Sequence, residues 1–134
     1  MTDMEQLPDI LKIHKDNIGE VQFSSRVAGT TFHPPAQEVL RVLKRVNPNQ
    51  IILRFEPEPT NEVDPYAVAI YVTIQGATRE QKLGYFPQSG SQLISYVLTH
   101  TDEYNLIISN IHIAGGTEDK EMLGLFYDFR IIKL

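Results

Sequence analysis

A chain of 134 residues is long enough for one domain with a real core and too short for two. With 42% hydrophobic and 22% charged residues the composition is that of a soluble globular protein, and the absence of cysteine excludes disulfides, thiolate metal sites and a cysteine nucleophile. A net charge of -5 argues against a surface that grips nucleic acid everywhere, because phosphate binding is driven by cationic side chains that release counterions.

The charge is unevenly distributed. Residues 21–55 hold Arg26, Arg41, Lys44, Arg45 and Arg54 against Glu38 alone, so any basic surface is one patch. No apolar run is long enough to span a bilayer, and the acidic N-terminus lacks the positive start and apolar centre of a signal peptide. The expectation is a cytoplasmic protein with no membrane partner.

Met1 to Asn17 carries Leu7, Ile10 and Leu11 at helical spacing and is read as an N-terminal helical extension, with residues 18–134 as a single domain. From Glu20 the period changes to two, with Val21, Phe23, Ser25 and Val27 on one face of a strand, until Gly29 interrupts it. Thr31, Phe32 and His33 follow, placing an aromatic and a titratable ring at the edge of an element before an expected break at Pro34-Pro35. A core position is one reading of Phe32.

Ala36 to Val46 is the clearest helix. Val39, Val42, Leu43 and Val46 form its apolar face, widened by Leu40, and Arg41, Lys44 and Arg45 lie opposite, as a solvated face or one that steers an anion. Gln50 to Phe55 reads as a strand. Pro57, Pro59 and Pro65 then stiffen a loop that cannot join a ladder fully, and Ala67 to Ile74 resumes as a strand buried on both faces. A polar hairpin at 75–80 leads to a strand over Lys82 to Phe86. A helix capped by Ser89 or Ser91 follows, with Leu93, Ile94, Val97 and Leu98 inward. Asn105 to Ala114 alternates again, with Leu106, Ile108, Asn110 and His112 on one face. An acidic turn and a last strand over Met122 to Leu134 complete the chain. The expected class is mostly β: an antiparallel barrel or curved sheet with two interposed helices and a short N-terminal one.

Three segments in order carry a resemblance: Val27-Ala28-Gly29-Thr30-Thr31-Phe32, then Glu56-Pro57 with Asn61-Glu62-Val63-Asp64-Pro65-Tyr66-Ala67-Val68, then Leu83-Gly84-Tyr85-Phe86-Pro87. Together they resemble the HIRAN domain family over about Val21 to Leu98. The resemblance implies an OB-like β-barrel with a pocket for the 3′ end of single-stranded DNA. Carried over to this chain, it makes Asp64 the carboxylate that accepts the terminal 3′-hydroxyl and Phe32 an aromatic platform for a base. Thr31 stands where DNA-binding members carry a basic residue, Val63 where they carry an aromatic, and Tyr66 where a small polar residue is usual, so that Tyr66 is a candidate replacement platform. Glu58 and Glu62 flank the site and would repel phosphates.

The chemistry is consistent with that carry-over. A carboxylate accepts from a hydroxyl yet repels a terminal phosphate, and stacking on an aromatic supplies roughly 1 to 3 kcal/mol per base without reading its identity. Asp64 also suits a turn, bonding nearby backbone N–H groups. The histidines and acids form no zinc or calcium pattern and no nucleophile elbow or phosphate loop is present, so no metal, cofactor or enzymatic activity is expected. Two readings follow. One is a non-enzymatic module for single-stranded DNA using Phe32, Asp64, Tyr66, Thr31 and His33, with Arg26, Arg41, Lys44 or Arg45 at the backbone. The other is a protein-interaction or regulatory module that kept the fold and lost the DNA pocket.

Overall fold

The computed structural model describes residues 22–117 and 121–134. The expected helix over 1–17, the first residues of the expected strand from Glu20 and the centre of the acidic turn lie outside them. The element order is β1 (Phe23–Arg26), α1 (Pro34–Leu43), a 3-10 turn (Pro48–Gln50), β2 (Ile51–Pro57), β3 (Val68–Ile74), β4 (Gln81–Tyr85), α2 (Gln88–Thr99), β5 (Tyr104–Gly115) and β6 (Leu123–Lys133). This is the mostly β pattern expected for the described part of the chain.

Side-chain alternation organises the first sheet. In β6, Leu123, Leu125, Tyr127, Phe129 and Ile131 are buried and the residues between them face outward. β6 is the centre of the antiparallel sheet β1-β6-β5. β5 does not keep one phase throughout: the register shifts between Ser109 and His112, where Asn110 has a φ of 52°. Three steps on β5 then oppose two on β6, which is a bulge. Leu106 and Ile108 face the core before it and Ile111 and Ile113 after it, so the uninterrupted alternation expected for this strand is corrected.

In the second sheet β3 is central, between β2 and β4, and Val68, Ala69, Ile70 and Val72 are buried. The inner faces of both sheets and the two helices share one core, in which Phe55, Phe86, Tyr127 and Phe129 meet largely edge to face.

The expected barrel does not close. Among the described residues the sheets are joined by a single bridge, in which Ala28 N donates to Tyr85 O at 2.7 Å and Tyr85 N to Ala28 O at 3.0 Å. No ladder joins β2 to β5 among these residues. Helix α2 packs against both of those strands and the 3-10 turn packs against β5, so helical backbone occupies the seam where strand pairing would have closed the barrel.

Helix α1 departs from expectation in two ways. Pro34 and Pro35 form its first turn, where the missing N–H groups have no intrahelical partner to lose. Its buried face is Ala36, Gln37, Leu40 and Leu43, while Val42 is 57% exposed. The cause is Gln37, whose buried amide donates to Thr30 O and Leu123 O and accepts from Leu123 N, all at 2.9 Å. A polar residue thus holds the inward position that an apolar count assigns elsewhere. Helix α2 is corrected too: Pro87 is its N-cap with no side-chain cap, and neither Ser89 nor Ser91 serves. Among the described residues no helix is long and apolar enough to cross a membrane.

Gly84 sits where the bridge is tightest. A Cβ there would lie 2.3 Å from the Ala28 carbonyl oxygen and 2.8 Å from Val27 Cγ1. Gly84→Ala is therefore expected to lower stability by ~1–3 kcal/mol through forced displacement. It would be read as a lower urea midpoint with an unchanged slope; an unaltered midpoint would refute the close approach.

Candidate functional site

The loop between β2 and β3 is built by its own polar side chains. Pro57, Pro59 and Pro65 offer no N–H, and the N–H groups of Glu58, Asn61, Val63, Asp64, Tyr66 and Ala67 all bond within the loop. Asn61 Oδ1 accepts from the backbone N–H of Val63 at 2.9 Å and of Asp64 at 3.0 Å, and Asp64 Oδ1 accepts from Tyr66 N at 2.8 Å. Glu58 N donates to Ala67 O, and Ala67 N donates to Asp64 O. Two successive side-chain turns of this kind require short carbonyl-bearing residues three apart, which accounts for Asn61 and Asp64 on folding grounds alone.

The other carboxylate oxygen of Asp64 faces α2, where Ser91 Oγ donates to Oδ2 at 2.7 Å and also bonds Gln88 O at 3.0 Å. Asp64 is thus pinned from loop and helix while remaining half-buried. Each of its oxygens has a second lone pair, so the group can still accept a donor from a ligand. It lines a cleft of about 390 Å³ with Ala28, Gly29, Asn61, Val63, Ala67, Tyr85, Phe86 and Gln88. One carboxylate within mainly apolar walls can select a hydroxyl-bearing end over a phosphate.

Glu58 does not act as a free anion beside this cleft. Its carboxylate accepts from Lys82 Nζ at 2.9 Å, Tyr85 OH at 3.0 Å and Asn61 Nδ2 at 3.2 Å, and Lys82 also reaches Tyr85 OH at 2.7 Å. The Lys82 hydrogen bond, followed by those of Asn61 and Tyr85, holds the Glu58 carboxyl below its ordinary value. The repulsion expected from Glu58 is therefore largely neutralised, whereas Glu62 is exposed.

A second cleft, of about 460 Å³, lies on the other side of the Ala28-Gly29 turn, and both residues line the two clefts. Arg26 and Thr31 line this second one. Gly29, at a φ of +87°, makes the turn and leaves open space where a Cβ would sit, so its role is conformational.

The remaining candidates are placed as follows. Phe32 is 92% exposed, which overturns its reading as a core residue. His33 is the exposed N-cap residue of α1. Tyr66 is 46% exposed and Val63 85%, and of these two only Val63 lines the Asp64 cleft. Arg41, Lys44 and Arg45 are exposed on or just beyond α1, with Lys44 Nζ donating to Gly115 O at 3.2 Å. The structure therefore places Asp64 and Val63 in one cleft and Arg26 and Thr31 in the next, and leaves Phe32, Tyr66, His33 and the α1 cations outside both linings.

The sequence did not disclose the partners that hold the site: Ser91, read as a cap; Lys82, read only as a strand residue; Tyr85, read as part of a family motif without a role at the loop; and Gln37, unremarked in a helix. Only Gln37 carried a local signal, a polar residue one position after Ala36 and three before Leu40. Among the described residues no group of three or more His, Asp or Glu side chains comes together as a metal site would require.

A family model described as HIRAN domain matches residues 20–114 of the chain. No curated protein and no solved structure matches it.

The Glu58 network has a pH signature. A carboxyl lowered in the folded state contributes stability that is complete above its unfolded value, near 4.5, and is lost as pH falls through the folded one. In Lys82→Met, Glu58 is expected to titrate closer to the ordinary value in a side-chain carboxyl NMR titration, and the acid-side loss of stability becomes shallower. An unchanged Glu58 titration would show that Lys82 is not its main partner.

Proposed function

Because the chain belongs to the HIRAN domain family, we propose that it is a non-enzymatic nucleic-acid-binding module that takes single-stranded DNA, with Asp64 receiving the 3′-hydroxyl end. Membership of a family of DNA-binding modules supports nucleic-acid binding in general. The finer reading rests on one observation: the Asp64 carboxylate is pinned by Tyr66 N and Ser91 Oγ at the wall of a cleft, with acceptor capacity left over.

In this reading the terminal hydroxyl donates to Asp64 and the last sugar and base lie against Val63, Ala67 and Phe86. Phe32, on the loop beyond Gly29, offers a ring face with almost no protein contact, which suits a base arriving from solvent. Arg26 lies one cleft away, where it can meet the preceding phosphates, and Arg41, Lys44 and Arg45 raise the local potential without touching the end. A terminal phosphate would place a second anion against Asp64.

The exposure of Phe32 and Val63 favours a second reading, in which an apolar protein segment covers these two loops. The same experiment separates the two. Fluorescent single strands ending in a 3′-hydroxyl are expected to bind more weakly as salt rises and to lose about tenfold or more in affinity on 3′-phosphorylation or in Asp64→Asn, the worth of a charge-assisted hydrogen bond of ~1.5–3 kcal/mol. Equal affinity for the two ends would remove the end-recognition mechanism. Absence of binding at low salt, with a stable protein complex, would favour the second reading.

A further inference from the structure

The outward face of the β1-β6-β5 sheet carries a row of three side chains outside the Asp64 cleft, two of which, Phe126 and His112, the end-recognition reading leaves without a role. Arg26 on β1 is paired in register with Phe126 on β6, and Phe126 in turn with His112 on β5. Cross-strand partners share a face, so Arg26, Phe126 and His112 project from neighbouring positions across the full width of the sheet. The two rings are near parallel, at 19°, with centroids 5.6 Å apart. The bulge at Asn110 produces this alignment, because without its extra residue His112 would point into the core. His112 is further fixed by donating Nδ1–H to Asn110 O at 2.9 Å, which leaves Nε2 directed away from that contact.

The next row along the sheet is Gly124 opposite Ala114, two residues with little side chain to fill the space. Gly124 lies under the edge of the Phe126 ring, where an added Cβ would stand 3.1 Å from Cε2. This small-residue floor and the Phe126 wall open into the second cleft, lined also by Arg26, Gly29, Thr30, Thr31 and Glu121. The cleft runs without a break to the Ala28-Gly29 turn that borders the Asp64 cleft.

We infer that the Arg26–Phe126–His112 row is a second nucleobase-stacking subsite, which holds a base of the same single strand upstream of its 3′ end. Flat aromatic faces beside a guanidinium suit a base and its phosphate, since stacking is indifferent to base identity and the cation follows the backbone. The acids nearby leave a path open. Asp128, in the row beyond, is held by Ser24, Gln22 and Asn110. Glu121 repels phosphate from the far wall of the cleft and so directs the backbone to the Arg26 side. This inference rests on the chain binding single strands but is independent of the chemistry assigned to Asp64.

The test compares 3′-hydroxyl oligothymidylates of about 3 and about 10 nucleotides, the longer within the usual span of one single-strand-binding fold. The longer strand is expected to bind wild type more tightly. His112→Ala and Phe126→Leu should each weaken it by about fivefold or more and leave the short strand unchanged, while Asp64→Asn weakens both. Arg26→Gln should lower the salt slope for the longer strand by about one. The His112 ring protons should shift when the longer strand is added and not with the short one. His112 is exposed, so its variant remains interpretable if Phe126→Leu proves unstable. Wild-type affinity for the longer strand in both ring variants would overturn the subsite even if Asp64→Asn is weakened. Loss in the ring variants with no effect of Asp64→Asn would keep the subsite and remove the end pocket. Wild type that binds neither strand overturns both.

Discussion

Two backbone hydrogen bonds between Ala28 and Tyr85 tie the sheets together, and the arrangement of the site follows from them. β1 leaves its ladder with β6 after Val27 N bonds Leu125 O and is captured at once by β4. Gly84 permits this because any side chain at that position would strike the Ala28 carbonyl. The chain then turns at Gly29 directly beyond this bridge, with one cleft on each side. Gln37 secures the far end of the turn by bonding Thr30 O and both backbone groups of Leu123. Each buried polar contact of this kind matters more for what its loss would strand than for its own net worth.

Electrostatics at the site are decided by pairing more than by composition. Arg54 belongs to the basic stretch of sequence, yet it is bound by Glu56 and Glu80 and lies over the Tyr71 ring on the outer face of the second sheet. Glu58, an apparent obstacle to an anionic ligand, is matched by Lys82. Exposed pairs of this sort stabilise the fold little, because solvent screens them. Their larger effect is to remove charge from the field a ligand meets. Of the cations in the basic stretch, Arg26, Arg41, Lys44 and Arg45 remain outside such pairs among the described residues, on the cleft and α1 side, a smaller and better localised set than the count along that stretch.

The departures between sequence expectation and structure share a form. In β5, alternation identified the strand, but a single extra residue at Asn110 exchanged the faces of all that followed. In α1, periodicity identified the helix, but Gln37 was bonded to backbone 86 residues away and turned the buried face toward itself. Ser91 had the chemistry of a cap and found a better acceptor in Asp64, 27 residues earlier. In each case a local rule competed with a partner distant in the chain, and the distant partner prevailed.

The sequence by itself determined what depends on near neighbours. Side-chain period placed the described strands and helices, the prolines with Asn61 and Asp64 shaped the loop before β3, and three ordered motifs identified the family. All of these are set by torsions and hydrogen bonds within a few residues. Only the tertiary structure decided that the strands form two separate sheets with helices packed between β2 and β5, that Phe32 stands in solvent, that Ser91 and Lys82 condition the acids of the loop, and that Arg26, Phe126 and His112 form a row. Those outcomes depend on register between strands up to 106 residues apart, and register is an energetic compromise over the whole core that no short stretch of chain contains.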